Sequence, residues 1–257
     1  MSTHMVIGDT HSKPGQSLER FHMLGEFALK YRPNEIICLG DFADMESLCS
    51  YDFGKKSFEG RRYNKDVESC RESLAAFNAP IDAYNRRQAL NRKVQWRPKR
   101  TMLGGNHDEA RINRVIELDP KMDGTISMDD LGYTDYGWDY QPFLQPKNID
   151  GVLYNHYFVS GVMGRPIGGE NSARSLLMKN MVSSTAGHSH VYDYANRTTP
   201  EGKRIHGLSA GCYFEESMDF ARSTEHLWWR GIFLKHNVED GDYDLETFSM
   251  RRLREIL

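Results

Sequence analysis

Asn106, His107 and Asp108 follow two glycines in the run Leu103-Gly-Gly-Asn-His-Asp-Glu109, which sets an amide, an imidazole and a carboxylate side by side. Such groups can bind a metal, carry a proton and accept hydrogen bonds, and a glycine turn lets them crowd one point. Similar turns recur. Gly8-Asp9-Thr10-His11 sets a carboxylate and an imidazole two apart, on one side of an extended chain. Gly40-Asp41 adds a carboxylate, and Gly187-His188-Ser189-His190 adds two imidazoles. His156 stands alone in Gly151–Val159, where a single histidine more often fills a core position. One polar turn by itself reads as a helix cap. Taken together, Asp9, His11, Asp41, Asn106, His107, His156, His188 and His190 form a mixed oxygen and imidazole set that suits Mn²⁺, Fe or Zn²⁺. Cysteine is absent from every turn, which argues against a structural zinc site.

Side chains in such turns need strands to deliver them. Met5-Val6-Ile7, Ile36–Leu39 and Arg100–Leu103 are short apolar runs, each ending at one of the polar turns. A strand–turn–helix order puts the turn at the carboxyl edge of a sheet, where α/β proteins do their chemistry. Leu18, Phe21, Leu24, Phe27 and Ala28 predict an amphipathic helix over 17–31, and Ile112, Val115 and Ile116 one over 109–117. Val67, Cys70, Leu74, Phe77, Ile81 and Tyr84 form a helical seam, in which Pro80 is expected to kink the helix or start a second one. Gly151–Val159 reads as a strand carrying His156, and residues 171–181 read as a helix. The glycines at 161, 164, 168 and 169 that enter this helix could offer backbone N–H groups to an anion. Val191–Tyr194, Arg204–Leu208, Trp228–His236 and Thr247–Met250 are further strands.

The totals bound the class. The chain has 257 residues, 39% apolar and 27% charged, with a net charge of -3, as in an ordinary globular protein. No apolar run approaches the roughly 20 residues of a membrane span, and the start lacks a signal-peptide pattern. The four cysteines show no paired spacing. Reduced thiols, a cytoplasmic location and no membrane partner are the expectation. Between Gly54 and Arg100, 13 Lys and Arg face 5 Asp and Glu, a basic helical insertion that leans toward phosphate-rich ligands. Residues 119–150 hold Tyr133, Tyr136, Trp138, Tyr140 and Phe143. This aromatic loop segment reads first as a packed subdomain, and secondarily as a roof that stacks a base.

The ordered blocks Asp-x-His, Gly-Asp, Gly-Asn-His-Asp, a later His and Gly-His-x-His resemble the calcineurin-like metallophosphoesterases, and every block stands in order between residues 8 and 190. The resemblance implies an α/β four-layer sandwich, in which two packed mixed sheets are flanked by helices in a single domain over 1–257. It implies two divalent ions, with Mn²⁺ as the first choice and Fe, Zn²⁺ or Ni²⁺ as alternatives. Asp9, His11, Asp41 and His190 would hold one ion and Asp41, Asn106, His156 and His188 the other, with Asp41 as bridge. His206 competes with His156 for its role. His107 would face the scissile phosphate rather than a metal, with Asp108 orienting its ring. Arg111 and Arg114, one turn further on, are candidate substrate contacts.

Such a pair of ions supplies hydroxide near neutral pH for in-line attack on phosphorus. The reaction expected is hydrolysis of a phosphodiester in a nucleic acid or nucleotide, with a phosphomonoesterase as the alternative. An inactive scaffold of the same fold is the remote third reading, disfavoured because no ligand position is lost.

Overall fold

The first three strands alternate strictly between two cores. Met5 and Ile7, Ile36 and Cys38, and Met102 pack on one side of a sheet. Val6, Ile37, Leu39 and Leu103 pack on the other. A period of two on strands buried on both faces demands cover on both faces, and the chain supplies it.

The computed structural model describes residues 1–216 and 224–257. The strands are β1 (Ser2–Ile7), β2 (Glu35–Cys38), β3 (Lys99–Leu103), β4 (Asp139–Gln141), β5 (Lys147–Ile149), β6 (Val152–Asn155), β7 (Val159–Ser160), β8 (Arg165–Pro166), β9 (Ser184–Ala186), β10 (Tyr192–Thr198), β11 (Arg204–Ala210), β12 (Gly231–Glu239) and β13 (Asp242–Ser249). The α-helices are α1 (Glu19–Tyr31), α2 (Tyr63–Leu90), α3 (Glu109–Leu118), α4 (Ser172–Asn180) and α5 (Met250–Ile256). One sheet has the order β13-β12-β1-β2-β3-β4, and the other β10-β11-β9-β6-β5. Both are mixed: β1 to β4 are parallel with β12 antiparallel to β1, and β6, β9 and β11 are parallel between antiparallel β5 and β10.

Layers follow from the clusters. Phe21, Leu24 and Phe27 of α1, Leu74, Phe77 and Ile81 of α2, and Leu253 of α5 cover the outer face of the first sheet. Val152, Tyr154, Leu208 and Phe233 fill the space between the sheets. Leu176 of α4 covers the second sheet with Phe158, Ile167 and Ala186. The order helix, sheet, sheet, helix is the expected four-layer sandwich.

Several details differ from expectation. Pro80 neither ends α2 nor starts another helix. Its ring lies against Gly25 of α1, where a side chain would collide with Phe77 and Pro80, so packing on α1 holds the element together across the missing N–H. The strand before His156 stops at Asn155, which puts the imidazole at a strand end rather than inside a strand. The glycine-rich run folds into the β7–β8 hairpin, and Asp193 of β10 already accepts from the Ala173 N–H at the start of α4. Tyr133 and Trp138 are buried in the helix-side core, as the packed reading of their segment requires.

The basic insertion is also displaced. Its first part faces the polar turns, since Ser12 bonds to Ser69 and Asp66 accepts from the Ser47 N–H. Arg86 and Arg87 lie about 30 Å further along α2 than Asp66 at 1.5 Å per residue, and Arg92 and Lys93 follow just past its end. Near them Asn85 bonds Trp96, and Lys99 pairs with Glu35 at the beginning of β2. Those cations therefore sit at the amino edge of the sheet, opposite the turns that follow them in sequence. No helix among the described residues is long and apolar enough to cross a membrane. All four cysteines are free and buried.

Candidate metal centre

Parallel β1, β2 and β3 release Gly8–His11, Gly40–Asp44 and Gly104–His107 at one edge of the first sheet. Parallel β6 and β9 release His156 and Gly187–His190 from the second. Stacking the sheets brings all five turns together, and the backbone stitches them. His11 N–H donates to Asp41 O at 3.0 Å, Gly187 N–H to His156 O at 2.9 Å, and Tyr213 N–H to Asp9 O at 2.7 Å. The glycines are needed for close approach. A side chain at Gly105 would run into the Asp41 carboxylate, and one at Gly187 into that of Asp9.

Four of the residues carry left-handed backbone: His11 (φ 45°), Asp41 (49°), His188 (65°) and His190 (58°). Each such non-glycine conformation costs ~1–3 kcal/mol, and it persists only where the surroundings impose it. Strain gathered at one edge is a cost the fold meets from its core.

Two neighbouring groups of metal-binding type result. Asp9, His11 and His190 bring their donor atoms within 4.8 Å of one another, and so do Asp41, His156 and His188. A third group, His11, Asp41 and His107, links them. Asp9 and Asp41 are buried. His190 Nε2 lies 3.0 Å from Asp9 Oδ2 and 3.3 Å from His11 Nε2. His156 Nε2 lies 2.8 Å from Asn106 Oδ1 and 3.4 Å from Asp41 Oδ2. His206, the competitor of His156, sits instead with Tyr194 and Asp242.

The tautomers follow from the partners. His156 Nδ1–H donates to the Leu39 carbonyl at 2.8 Å, and His11 Nδ1–H to Asp44 Oδ1 at 3.2 Å. Carbonyl and carboxylate oxygens only accept, so both neutral rings turn the Nε2 lone pair inward. At His156 that lone pair meets two acceptor oxygens, and at His11 it meets another imidazole nitrogen. Acceptors converging on one point call for positive charge between them, supplied by a proton on a ring or by a metal, and this donor set fits a divalent ion.

The electrostatics show how strongly the site draws positive charge, since a proton on His156 competes for the same inward lone pair. Burial opposes charge on His156, but Asp41 and Asp9 outweigh it and push the ring up to about 9. Burial, aided by neighbouring imidazoles, lowers His11 and His188 to about 4. Burial would raise Asp41, yet His156 and His107 hold its carboxyl well below the usual range.

His107 is half-buried, as is Asn106, and Asp41 accepts from the His107 backbone N–H at 2.7 Å. Its ring Nδ1 lies 2.5 Å from Asp44 Oδ1. Asp44, not Asp108, is the carboxylate on this imidazole. Asp108 is turned to the start of α3, where it accepts from the Gly105 and Glu109 N–H groups at 2.6 and 2.7 Å and from the Tyr133 hydroxyl at 3.1 Å. The residue next in sequence is a cap, and the orienting one comes from the neighbouring strand's turn. Its only sequence signal is a second aspartate three residues after Gly40-Asp41.

Arg111 donates to the backbone oxygens of Asp44 and Met45, which commits it to holding that turn. Arg114 is exposed on α3. A pocket of ≈ 240 Å³ is lined by Asp41, His107, His188, Ser189, His190, Thr224 and Trp228. Aromatic rings flank the cluster on two sides. Trp228 meets His190 at 4.6 Å between centroids, and Tyr157 meets His188 at 4.7 Å. Phe143, the one member of the aromatic segment to reach the site, lies 5.9 Å from His156 and 5.5 Å from Tyr157.

The family model described as Metallophos, calcineurin-like phosphoesterase, matches residues 3–257. No curated protein matches the chain.

Proposed function

The chain belongs to the calcineurin-like phosphoesterases, and from that premise we propose that it is a binuclear hydrolase of phosphodiesters. Asp9, His11, Asp41 and His190 would hold one ion and Asp41, Asn106, His156 and His188 the other, with Mn²⁺ as the first candidate. When bound, the ions would lower the pKa of water toward neutrality and draw charge from the phosphoryl oxygens.

The protein's own groups do the rest. Asp44 fixes the proton on His107 Nδ1, so a second proton on the ring is carried at Nε2, from which it passes to the leaving ester oxygen. The Asp44 charge stabilises the imidazolium until that transfer. Leu39 O and Asp44 set the tautomers in which His156 and His11 present lone pairs inward. Arg111 grips the Asp44 turn, so its charge serves positioning rather than the substrate.

The observation that carries the diester reading is aromatic surface on both sides of the ligand cluster. Trp228 and Tyr157 are both half-buried, leaving part of each ring open. A phosphodiester has an organic group on each side of phosphorus, and a monoester has only one. Burying the second group against a ring contributes ~1.5 kcal/mol, or about tenfold in kcat/KM. The test compares a bis-aryl with a mono-aryl phosphate in Mn²⁺. Preference for the diester by about that factor is expected; preference for the monoester would transfer the site to phosphomonoester chemistry.

A further inference from the structure

The loop that leaves Asp44 carries the two aromatic side chains most open to solvent. Tyr51 is 84% exposed and Phe53 81%, and no other aromatic residue among the described ones is classed as exposed. Elsewhere this chain buries or half-buries its rings, so two bare ones a residue apart call for a partner.

The segment that presents them is built. Asp52, between the two rings, accepts from Arg61 Nη1 at 2.8 Å and from Lys55 Nζ at 2.7 Å. Arg61 also donates to Glu46 O at 3.2 Å and lies over Phe58, whose ring meets Phe53 edge-on at 5.8 Å. Asp66 of α2 accepts from the Ser47 N–H at 2.9 Å. Both ends are pinned while the ring faces stay open.

Charge narrows the partner. From Tyr51 to Lys65 there are five Lys and Arg against two Asp and Glu. Lys55 and Arg61 pair with Asp52, whereas Lys56, Arg62 and Lys65 have no carboxylate partner among the described residues. Position matters as well. The root of the loop is Asp44, bonded to His107, and Arg111 holds the Asp44 and Met45 carbonyls. Tyr51 lies seven positions after Asp44, at most ~25 Å of chain.

Open rings followed along the segment by unpaired cations, beside the proposed phosphodiester site, match a ligand with planar faces and a repeating anionic backbone. A duplex stacks its bases away, whereas a single strand offers them to aromatic side chains while its phosphates follow lysines and arginines. A second copy of this chain would bring an equally positive loop against this one. We infer that residues 46–65 dock single-stranded nucleic acid and lead its backbone into the metal centre. This deepens the diesterase reading and rests on it.

The test is fluorescence anisotropy of the full chain in Mn²⁺, with a labelled phosphorothioate single strand, DNA or RNA, and a duplex of the same length. Stacking of ~1–3 kcal/mol per base predicts at least tenfold weaker strand binding by Tyr51→Ala/Phe53→Ala, and weaker duplex binding by the unaltered chain. Tyr51→Trp/Phe53→Trp should restore the affinity, which loss of folding would not allow. Lys56→Gln/Arg62→Gln/Lys65→Gln should flatten the dependence of log affinity on log salt by about 2, at ~0.7 per lost phosphate contact. Hydrolysis of the bis-aryl ester should stay unchanged in all of these. Alanine variants that bind strands as tightly as the unaltered chain, equal binding of duplex, or no strand binding with self-association through the two rings would each overturn the inference. Strand binding as expected from a chain that cleaves no diester would leave the surface standing and sink the diesterase reading instead.

Discussion

Changing Asp44 to Asn keeps its size and removes its charge. The side chain is nearly buried, 2.5 Å from His107 Nδ1 and 3.2 Å from His11 Nδ1. Burial would raise its carboxyl, but hydrogen bonds from both rings hold it well below the usual range, so it is charged at any neutral assay pH. A hydrogen bond to a charged group contributes ~1.5–3 kcal/mol, and in the proposed mechanism the imidazolium of the transition state relies on this one. At ~1.4 kcal/mol per decade, kcat should fall about 10–150-fold. KM for a small diester should hold, because Asp44 is not among the residues lining the pocket. The assay is kcat and KM for the bis-aryl ester in saturating Mn²⁺, with metal content measured in parallel. Asp108→Asn is the control: its partners are the turn and Tyr133, so it should lose thermal stability and keep kcat within about threefold, as no charged partner is removed from His107. Wild-type turnover in Asp44→Asn, or an equal loss in Asp108→Asn, would refute the assignment.

His107→Ala should keep its metal and lose about 10²-fold or more in kcat, the usual contribution of a positioned acid; metal lost in proportion to activity would make His107 a ligand. Asp66 supplies a pH effect away from the centre, since burial pushes its carboxyl from 3.8 up to about 6. The folded chain then holds a proton that the unfolded chain releases, so stability falls as pH rises from about 4 to 6 and stays lower above that window. Asp66→Asn, which still accepts from Ser47, should raise the stability at pH 7.5 by up to roughly 3 kcal/mol, read as a higher Tm, and lose this advantage at pH 4; an equal effect at both values would contradict the burial argument.

The ligand turns were legible because each carries a local signature: an apolar run, a glycine, then a polar side chain at a fixed spacing. The layers came from the family resemblance, and the burial of β1, β2 and β3 on both faces is the structural feature that fits it. What escaped was long-range. The His107–Asp44 bond joins residues 63 positions apart, and nothing in the Asn-His-Asp turn says that its own aspartate will cap α3 instead. The basic run seemed close to the catalytic turn only along the chain, because β3 separates its end from that turn by the height of the sheet. Pro80 is tolerated through the partner surface at Gly25, which periodicity within α2 does not contain. Helix α5 hid because its seven residues include Arg251, Arg252 and Arg254, with only Met250 and Leu253 buried.

Metal stoichiometry linked to diester hydrolysis tests the central claim most directly. The purified chain, stripped with EDTA and titrated with Mn²⁺, should bind two ions and gain bis-aryl phosphodiesterase activity in step with them. Asp41 stands in the second group and in the one that links it to the first, so Asp41→Asn should weaken both proposed sites together. Full hydrolysis in excess EDTA, or a chain that takes up no metal, would contradict the account.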